Sequence, residues 1–359
     1  MKLPDRIRSF LLSLKIDLIR IEGNCKANGE KVSIVCAVGT KTAYYLAEFL
    51  FEPGCQITPI GPSWLWSAAR KAKRSVPDSL ALFIEMGGKK LSFFESRYIK
   101  APIWVQGEIP IPVPEDLKRK ETYKADYRKF RKAQFHYEVT RDPKEVDDFF
   151  QHMYQPYIAR SHGDSAIIKS KELLFAKYGT PELLLIRQGR KSVAGMLISK
   201  QDEVPKVFAL GIRDGSIELQ RNGALFACYY CCMEYLEQQG YSKVNFGGSR
   251  GFIKDGVLTY KRKFGNRITG TQDLYLLLKI YKNSETALRF FSEMPLIIDQ
   301  HGSLYSLVFA DQARLPSLHK SEKERRKHFL LGTSALLACN LEAQADLSSL
   351  QFVTLEENR

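Results

Sequence analysis

The sequence predicts an α/β protein with a central mixed, mostly antiparallel sheet flanked by helices. Two observations support this fold class. From Asp142 onward, segments with the period of a strand alternate with segments with the period of a helix. In addition, hydrophobic residues make up 44% of the 359-residue chain and charged residues 26%, as in folded globular proteins. A chain of this length is long enough for two or three domains.

The clearest pattern lies between residues 142 and 280. Two helices are expected first, followed by a β-hairpin, a third strand, a helix, a short strand, a glycine-rich loop, a short helix and a last strand. In that order the segments are Pro143 to Ala159, Lys169 to Lys177, Glu182 to Arg187 with Ser192 to Ser199, Lys206 to Ile212, Asn222 to Gly240, Lys243 to Phe246, Gly247 to Gly251, Tyr260 to Phe264 and Asp273 to Ile280.

The first third of the chain has weaker signals. Lys31 to Val38, Leu80 to Met86 and Leu91 to Glu95 are typical of strands, and Lys41 to Phe51 is typical of a helix. Apolar patches between Ile7 and Ile21, interrupted by charged residues, predict an amphipathic helix rather than a cleaved signal peptide.

A stretch rich in proline, Ala101 to Pro114, separates this part from the rest. Four prolines argue against a helix or an inner strand, so the stretch is expected to be an ordered linker or a substrate-facing loop. Three domains are predicted: a mixed α/β domain at 1–115, a catalytic domain at 116–282, and a C-terminal helical extension with a tail at 283–359.

The formal net charge of +14 predicts an anionic partner, because a positive surface potential concentrates phosphates and carboxylates. Coenzyme A, a tRNA acceptor end, a lipid-linked sugar phosphate and a membrane surface all fit. No run of about 18 apolar residues occurs, so no transmembrane segment is expected and a peripheral membrane contact is the most that the sequence allows.

Seven cysteines, an odd number, predict reduced thiols and a cytoplasmic location. Cys228 and Cys231 have the Cys-x-x-Cys spacing, and Cys232 follows, but no second pair and no histidine completes a zinc site. We therefore expect packed thiols within a helix, and no metal.

Lys118 to Lys132 is dense in lysine and arginine, with Tyr123, Tyr127 and Phe130 at helical spacings. This pattern has two interpretations. The helix either exposes a solvated charged face over a packed aromatic stripe, or it provides a phosphate-binding surface beside the active site.

Two segments carry a family resemblance. Val244 to Ser249 reads Val-Asn-Phe-Gly-Gly-Ser, and Tyr260 to Gly265 reads Tyr-Lys-Arg-Lys-Phe-Gly. Together they resemble the GNAT superfamily branch of CelD-like acetyltransferases and Fem-type peptidyltransferases, in which a Gly-Ser loop precedes a Phe-Lys-x-x-Phe/Trp-Gly helix. Tyr157 to Asp164 and Val193 to Gly195 resemble further segments of that branch.

The resemblance covers about residues 120–282 and implies a GNAT-like fold whose sheet splays near the strand before the Asn222 helix. It leaves open that the N-terminal third is a diverged copy of the same unit, as in tandem Fem-like proteins. The acyl-CoA or acetyl-CoA donor implied by the family is expected to bind through Arg221, Asn222, Gly223 and Ser249.

The Gln220 to Gly223 turn is also interpretable from the residues alone. A strand, a glycine turn and a helix N-terminus present backbone N–H groups that suit an anion. An ordinary asparagine cap with close helix packing is the alternative. In acetyl-CoA-dependent relatives a second small residue usually follows, where this chain has Leu225, so the turn departs from the family pattern.

The catalytic candidates are Lys261, His162 and Asp164. By resemblance, Lys261 stabilises negative charge at the transferring carbonyl; the alternative is a surface lysine in a basic stretch. His162 could take a proton from the acceptor with Asp164 orienting its ring, or it could simply end a helix. The neighbouring side chains of Tyr260, Arg250 and Arg160 are candidates for binding substrate.

Three functions fit this sequence. The first is an acyltransferase that moves an acyl group from acyl-CoA to an amine or hydroxyl of a sugar or cell-envelope precursor, with a small-molecule or lipid-linked glycan acceptor. The second is an aminoacyl-tRNA-dependent Fem-like peptidyltransferase, which the basic helix favours. The third is a non-catalytic GNAT-like binding protein, which the altered turn at Gly223 favours.

Overall fold

A computed structural model describes residues 14–87, 98–341 and 352–357 of the chain. Backbone contacts group the chain into two compact units. Unit 1 comprises residues 1–105, 250–255 and 271–359, and unit 2 comprises residues 106–249 and 256–270. The domain boundaries expected after residues 115 and 282 stay a prediction, because compactness alone does not show which parts fold independently.

The strands of the described residues are β1 (Lys15–Asn24), β2 (Lys31–Ala37), β3 (Gln56–Trp64), β4 (Ala81–Gly87), β5 (Ile99–Pro102), β6 (Trp104–Pro110), β7 (His136–Thr140), β8 (Glu182–Gln188), β9 (Lys191–Ser199), β10 (Lys206–Ile212), β11 (Lys243–Val244), β12 (Ser249–Arg250), β13 (Arg267–Thr271), β14 (Leu274–Ile280), β15 (Leu296–Gln300), β16 (Ser303–Ala310), β17 (Ala335–Asn340) and β18 (Val353–Glu357).

The α-helices of the same residues are α1 (Thr40–Leu50), α2 (Leu65–Ser75), α3 (Glu115–Lys118), α4 (Glu121–Ala133), α5 (Pro143–Phe149), α6 (Gln155–His162), α7 (Lys171–Tyr178), α8 (Ile217–Arg221), α9 (Ala224–Gln238), α10 (Gly256–Arg262), α11 (Glu285–Ser292), α12 (Leu315–Lys320) and α13 (Glu322–His328). A π-helical turn, Phe150–Tyr154, joins α5 to α6.

Unit 1 is built on a six-stranded sheet with the order β3-β1-β2-β4-β14-β5. Its strands pair antiparallel except for β2 and β4, which are parallel. Buried residues of α1 and of α2 belong to two different apolar clusters, which cover opposite faces of this sheet. A second sheet, with the order β15-β16-β17-β18, is antiparallel except for β16 and β17.

Unit 2 contains an antiparallel four-stranded sheet with the order β10-β9-β8-β7. The alternation of side chains along β8 explains how helices cover both faces. Leu184 and Ile186 pack in the cluster that contains α4 and α9, whereas Leu183 and Leu185 pack in the cluster of α5, the π-turn and α7. A smaller sheet contains β11, β6 and β12 in that order, with β13 also paired to β6.

The predicted fold class is confirmed: the described chain contains mixed and antiparallel sheets flanked by helices. From Asp142 to Ile280, every predicted helix and strand is present, with bounds shifted by a few residues at most of the ends. The predicted order of helices and strands in this part is therefore correct, because the periodicity of apolar residues is strong there.

Several predictions for the rest of the chain are wrong. Residues 15–24 form β1 instead of an amphipathic helix, because pairing with both β2 and β3 overrides the local pattern. The proline-rich stretch contains β5 and β6, and β6 is an inner strand. Pro102 and Pro110 stand at the last positions of these strands, so the residues between them keep their N–H groups for pairing.

The C-terminal part also differs from the expected helical extension. It contains three helices, α11 to α13, but also the four strands of the second sheet of unit 1. β14, which was placed at the end of the catalytic domain, pairs with β4 and β5 in unit 1. The predicted strand from Leu91 to Glu95, residues 7–13 of the predicted helix and most of the C-terminal tail lie outside the described residues.

Candidate functional site

Strands β10 and β11 meet and then part. Asn245 N donates to Pro205 O (2.9 Å) and Val207 N donates to Asn245 O (2.8 Å), which makes a parallel bridge between Lys206 and Asn245. No other bridge joins the two strands in the described chain. β10 continues to Ile212 in one sheet and β11 belongs to another. This is the splay that the family resemblance implied before the Asn222 helix.

Helix α9 follows β10 after a 3-10 turn, Arg213–Gly215, and the short helix α8. Gly223 is its N-cap, with φ 97°, and no side chain caps the helix. The first intrahelical bond runs from Ala227 N to Gly223 O, and within the described residues no acceptor receives the N–H groups of Ala224, Leu225 or Phe226. Unpaired N–H donors and the helix dipole favour negative charge at a helix N-terminus, so an anion bound at this turn stays a prediction.

The Asn222 and Gly223 N–H groups are not part of this set. Asn222 N donates to Glu218 O (2.9 Å) and Gly223 N donates to Gln220 O (3.1 Å). The exposed side chain of Arg221, at the end of α8, adds a positive charge to this turn. The donor groups thus follow Gly223 rather than Asn222.

Helix α4 packs against this turn. A Cβ atom at Gly223 would lie 3.3 Å from Lys129 Cβ and 3.4 Å from Phe130 N. Tyr123 and Phe130 are buried against Phe226 of α9, at ring distances of 5.2 and 6.3 Å. The aromatic stripe of α4 therefore faces the core, as the first interpretation of this helix stated. Five basic side chains are exposed on α4: Lys124, Arg128, Lys129, Arg131 and Lys132.

The glycine-rich loop is held by Lys261, which lies on α10 and is 2% exposed. Its Nζ donates to Gly247 O (2.7 Å), Gly248 O (3.1 Å) and Ser249 Oγ (3.0 Å). Lys261 is therefore neither a surface lysine nor an uncommitted cation. An ammonium has three N–H donors, and these three acceptors use all of them.

Ser249 is also buried, and its hydroxyl accepts the hydrogen bond from Lys261. The hydroxyl hydrogen has no acceptor among the described residues. A serine hydroxyl that accepts from an ammonium is polarised and keeps one O–H donor. Lys261 and Ser249 are thus two predicted site residues that the structure brings together.

Tyr260, next to Lys261 on α10, belongs to an aromatic cluster. Its ring lies 5.2 Å from that of Tyr229, and the Tyr229 ring stacks on Phe246 at 4.2 Å. Burial, together with Tyr229 and Tyr157, raises the pKa of Tyr260 well above its ordinary value. The hydroxyl therefore stays protonated at neutral pH. Tyr157 lies on α6, so the cluster connects α6, α9 and α10.

His162 ends helix α6, and Asp164 lies in the 3-10 turn that follows. The His162 carbonyl accepts a hydrogen bond from Ser165 Oγ (2.6 Å), and Gly163 has φ 46°, which is typical of a helix stop. This geometry is that of a helix terminus; a role of His162 and Asp164 in proton transfer stays a prediction.

Arg160, two residues before His162 on α6, is exposed, and its Cβ lies 3.5 Å from where a Cβ would stand on Gly215. Gly215 ends the turn that leads from β10 into α8. The π-turn before α6 approaches β10 closely, since a Cβ at Gly211 would lie 2.4 Å from Tyr154 N. Arg160 therefore lies beside the start of the connection between β10 and α9, and Arg221 lies further along the same connection.

Arg250 belongs to unit 1 and is 6% exposed. Its guanidinium lies between two aromatic rings, 4.5 Å from the centre of Tyr45 and 4.1 Å from that of Trp104. Burial lowers the pKa of Arg250, and the Tyr45, Asp255 and Glu85 side chains oppose that shift. In the described chain the guanidinium makes no hydrogen bond or ion pair, so its N–H edge keeps its donors.

Sequence reasoning named Arg250 but missed Tyr45 and Trp104. The Tyr45 hydroxyl donates to Asp255 (3.1 Å), and burial raises its pKa well above the ordinary value. Trp104 was part of the stretch predicted to be a linker or a substrate-facing loop, which was the one available signal.

The three clustered cysteines lie on the core side of α9. Burial raises the pKa of the Cys231 thiol to about 12 and the pKa values of Cys228 and Cys232 further. Neutral buried thiols pack like small apolar side chains. Among the described residues no group of three or more His, Cys, Asp or Glu side chains is placed to hold a metal ion. Nor does any described helix have the length and apolarity needed to cross a membrane.

Comparison with protein-family models and with curated proteins gave no match. Solved structures gave distant similarities. L-PGS from Bacillus licheniformis is 11% identical with a TM-score of 0.37, over 64% of this chain and 78% of that one. FemX is 12% identical with a TM-score of 0.36, over 68% and 80%. A GCN5-related N-acetyltransferase from Sphaerobacter thermophilus is 11% identical with a TM-score of 0.32, over 73% and 76%. TM-scores this low establish neither the fold nor the activity of this chain.

Proposed function

We propose that the chain is a GNAT-type acyltransferase that moves an acyl group from acyl-CoA to an amine or hydroxyl of a sugar or cell-envelope precursor. The observation that carries the proposal is the parting of β10 and β11 with unpaired N–H donors at the start of α9. Parted strands leave backbone groups of β10 without a strand partner. An extended donor can pair with these groups while its phosphates meet the helix N-terminus.

The phosphate-binding part of the site comprises the N–H groups of Ala224, Leu225 and Phe226 with the charge of Arg221. The chain fits a pyrophosphate here because these donors have no acceptor of their own. Leu225 contributes its N–H whatever its side chain, so the loss of the family's second small residue affects the space around the site rather than the donors. Asn222 and Gly223 shape the turn.

The acyl carbonyl is proposed to bind at Ser249, with Lys261 as its positioning residue. The acceptor attacks the thioester carbonyl carbon, the C–S bond breaks, and the thiol leaves with a proton. Negative charge on the carbonyl oxygen is stabilised by the Ser249 O–H donor, which Lys261 orients and polarises. This arrangement uses the hydroxyl hydrogen that has no other acceptor, and it leaves the three bonds of Lys261 intact.

His162 is the proposed base for the acceptor's proton, with Asp164 orienting the ring. Arg160, Tyr260 and Arg250 are the proposed substrate-binding residues. Tyr260 can donate because its hydroxyl stays protonated, and Arg250 can bind a carboxylate or phosphate oxygen through its N–H edge. If His162 is the base, His162→Gln should remove one limb of the pH–rate profile, whereas a helix terminator would leave the profile unchanged.

Donor binding is tested by thermal unfolding with acetyl-CoA and longer acyl-CoAs. A ligand at 100 times its dissociation constant should stabilise the protein by about 2.7 kcal/mol. Arg221→Ala should weaken this stabilisation, and Arg190→Ala is the matched control because it removes an equally exposed arginine from the β8–β9 turn. Substitution of Gly223 is unsuitable, because its φ and its contact with Phe130 N make any side chain disruptive.

Equal stabilisation of Arg221→Ala and Arg190→Ala by the ligand would show that the turn does not bind the donor. If no acyl-CoA stabilises the protein, acyl-CoA is excluded as the donor. Stabilisation without transfer to amine or hydroxyl acceptors would instead favour a non-catalytic binding protein.

A second candidate donor, aminoacyl-tRNA, is favoured by the exposed basic face of α4 beside Gly223. A tRNA contacting several phosphates loses affinity steeply with salt, whereas a coenzyme loses little. The triple variant Lys124→Gln, Arg131→Gln and Lys132→Gln should reduce the salt slope if tRNA binds there. These three exposed cations have no ion pair within the described residues, so the substitution breaks no salt bridge there. A shallow slope in the unmodified protein excludes this donor.

A further inference from the structure

Two tryptophans of unit 1 are stacked on each other at the surface. Trp64 ends β3 and Trp66 lies in the first turn of α2; their exposed fractions are 39% and 59%. Their ring centres are 5.0 Å apart and their planes differ by 6°. Large aromatic side chains that are exposed side by side mark a surface for a partner.

The exposed face of α2 carries positive charge next to this pair. Arg70, Lys73 and Arg74 are exposed and lie on the same side of the helix as Trp66, at helical spacings. None of the three makes an ion pair in the described chain. Leu65–Ser75 contains four basic residues and no acidic one, so no charge on the helix neutralises them.

The tryptophan pair is held firmly in place. Lys71 Nζ donates to Pro62 O (2.5 Å), which ties α2 to the end of β3, and Ser67 Oγ donates to Trp64 O (3.1 Å). On the opposite side of the helix, Leu65, Ala68 and Ala72 are buried in the core of unit 1. The surface is therefore ordered before any partner binds, which lowers the entropic cost of binding.

We propose that this face of Trp64, Trp66, Arg70, Lys73 and Arg74, here called the α2 face, binds the surface of a membrane that contains anionic phospholipid. Indole rings favour the interface between headgroups and acyl chains, and long basic side chains reach outward to lipid phosphates. The sequence of an aromatic first turn followed by cations suits a helix lying along that interface. The inference does not depend on the proposed acyl transfer.

A single-stranded nucleic acid is the other anionic partner that aromatic and basic residues bind. Base stacking needs open ring faces spaced along a groove. Here the two indoles are stacked, so each covers one ring face of the other, and exposed cations lie beside the pair. That combination favours a lipid surface over a row of bases.

The test is cosedimentation of the full chain with vesicles of equimolar phosphatidylglycerol and phosphatidylcholine, and with vesicles of phosphatidylcholine alone. The protein should bind the anionic vesicles and leave the neutral ones largely unbound. Arg70→Gln/Lys73→Gln/Arg74→Gln should weaken binding about a hundred-fold, at about five-fold per cation. Trp64→Ser/Trp66→Ser should weaken it by at least about ten-fold.

The matched control is Lys124→Gln/Arg131→Gln/Lys132→Gln, which removes the same charge from α4, where no large aromatic side chain is exposed. It should bind vesicles nearly as the unmodified protein does. Brominated lipid should quench the tryptophan fluorescence of the unmodified protein. It should leave Trp64→Ser/Trp66→Ser unquenched, because the chain then retains only the third tryptophan, Trp104, which packs on Arg250.

Three results overturn the proposal. One is equal loss of vesicle binding in the α2 and α4 variants, which would mean that net charge alone acts. A second is binding of single-stranded RNA, with no vesicle binding, that is lost in the α2 variants. The third concerns the segment that precedes Leu14. Leu14 is next to the α2 face in the structure, because its carbonyl accepts a hydrogen bond from Leu65 N (2.8 Å). Loss of vesicle binding in Arg6→Gln/Arg8→Gln, but not in the α2 triple variant, would assign the contact to that segment.

Discussion

Two buried cations, one in each unit, have opposite surroundings. Lys261 in unit 2 is 2% exposed and donates to three oxygen atoms of the glycine-rich loop. Arg250 in unit 1 is 6% exposed and lies between the rings of Tyr45 and Trp104, with no hydrogen-bond acceptor in the described chain. The difference teaches that burial of a charge does not by itself mark a binding site. Lys261 uses its donors within the glycine-rich loop, whereas the N–H donors of Arg250 have no acceptor in the described chain, and their use by a substrate stays a proposal.

The largest expected effect is on stability when Lys261 is replaced. Lys261→Met removes the ammonium and leaves two loop carbonyls and the Ser249 hydroxyl without their donor, so the free energy of unfolding should fall by about 3–5 kcal/mol. Urea denaturation measures this loss. Lys191→Met, on the exposed β8–β9 turn, is the control and should change stability by less than about 0.5 kcal/mol.

A loss in Lys261→Met no larger than that of the control would contradict the structural role of Lys261. Turnover then separates this role from direct catalysis. Ser249→Ala should lower turnover by about 100-fold while it retains most of the stability, because Ser249 is the group proposed to touch the carbonyl.

A smaller effect is expected when Arg250 is replaced. Arg250→Met exchanges a buried charge without hydrogen bonds for an apolar chain of similar length. The lost cation–π contacts and the removed desolvation cost largely cancel, so the free energy of unfolding should change by less than about 2 kcal/mol. The KM for the acceptor should rise instead. A large loss of stability in Arg250→Met with an unchanged KM would make Arg250 a second structural cation and erase the contrast with Lys261.

The smallest expected effect concerns Lys200 of unit 2, a cation that is paired with the carboxylate of Glu182. Glu182 accepts from Lys200 (2.5 Å), Tyr235 (2.6 Å) and Arg141 (2.8 Å). Burial alone would raise the pKa of Glu182, but the bonds from Lys200 and Tyr235 outweigh it and hold the pKa below its ordinary value. A lowered folded pKa stabilises the protein above the unfolded value of about 4.3, and this stability is lost as the pH falls through the folded pKa.

Acid titration of stability in Glu182→Gln tests this interaction. Because solvent screens the group in part, the acid-dependent contribution should be about 0.5–1 kcal/mol, and the variant should lack it. An identical decline of stability below about pH 4 in both proteins would show that other carboxylates cause it.

The comparison of Lys261 and Arg250 also shows what the sequence could predict. Lys261 was selected as a site candidate by its match to the family's Lys-containing helix, and Arg250 because it follows the Gly-Ser loop. Their surroundings depend on contacts between residues far apart in the chain, such as Tyr45 with Arg250, and no local period reports such contacts. The location of the Gly223 turn was predictable because a glycine between a strand and a long apolar helix is a local signal.

The helices and strands likewise divide into those that the sequence predicts and those that it misses. β8, β9 and β10 were predictable because their apolar runs end at turn residues, and α9 because Gly240, with φ 83°, ends it. β3 was missed because it contains Pro59 and Pro62, which are tolerated since it is an edge strand. α2 was missed as well, although it carries the unpaired cations of the α2 face, because its short basic segment was less dense in charge than α4.

The central claim is that an acyl-CoA donor binds the unpaired N–H groups of Ala224, Leu225 and Phe226. The most direct test is amide hydrogen exchange of the peptide that covers the start of α9. These amides have no acceptor in the described chain and should exchange quickly in the free protein. Saturating acetyl-CoA should slow their exchange at least about ten-fold and leave the amides of α2 unchanged. Unchanged exchange at the start of α9, in a protein that acetyl-CoA stabilises against heat, would place the donor elsewhere and contradict this account.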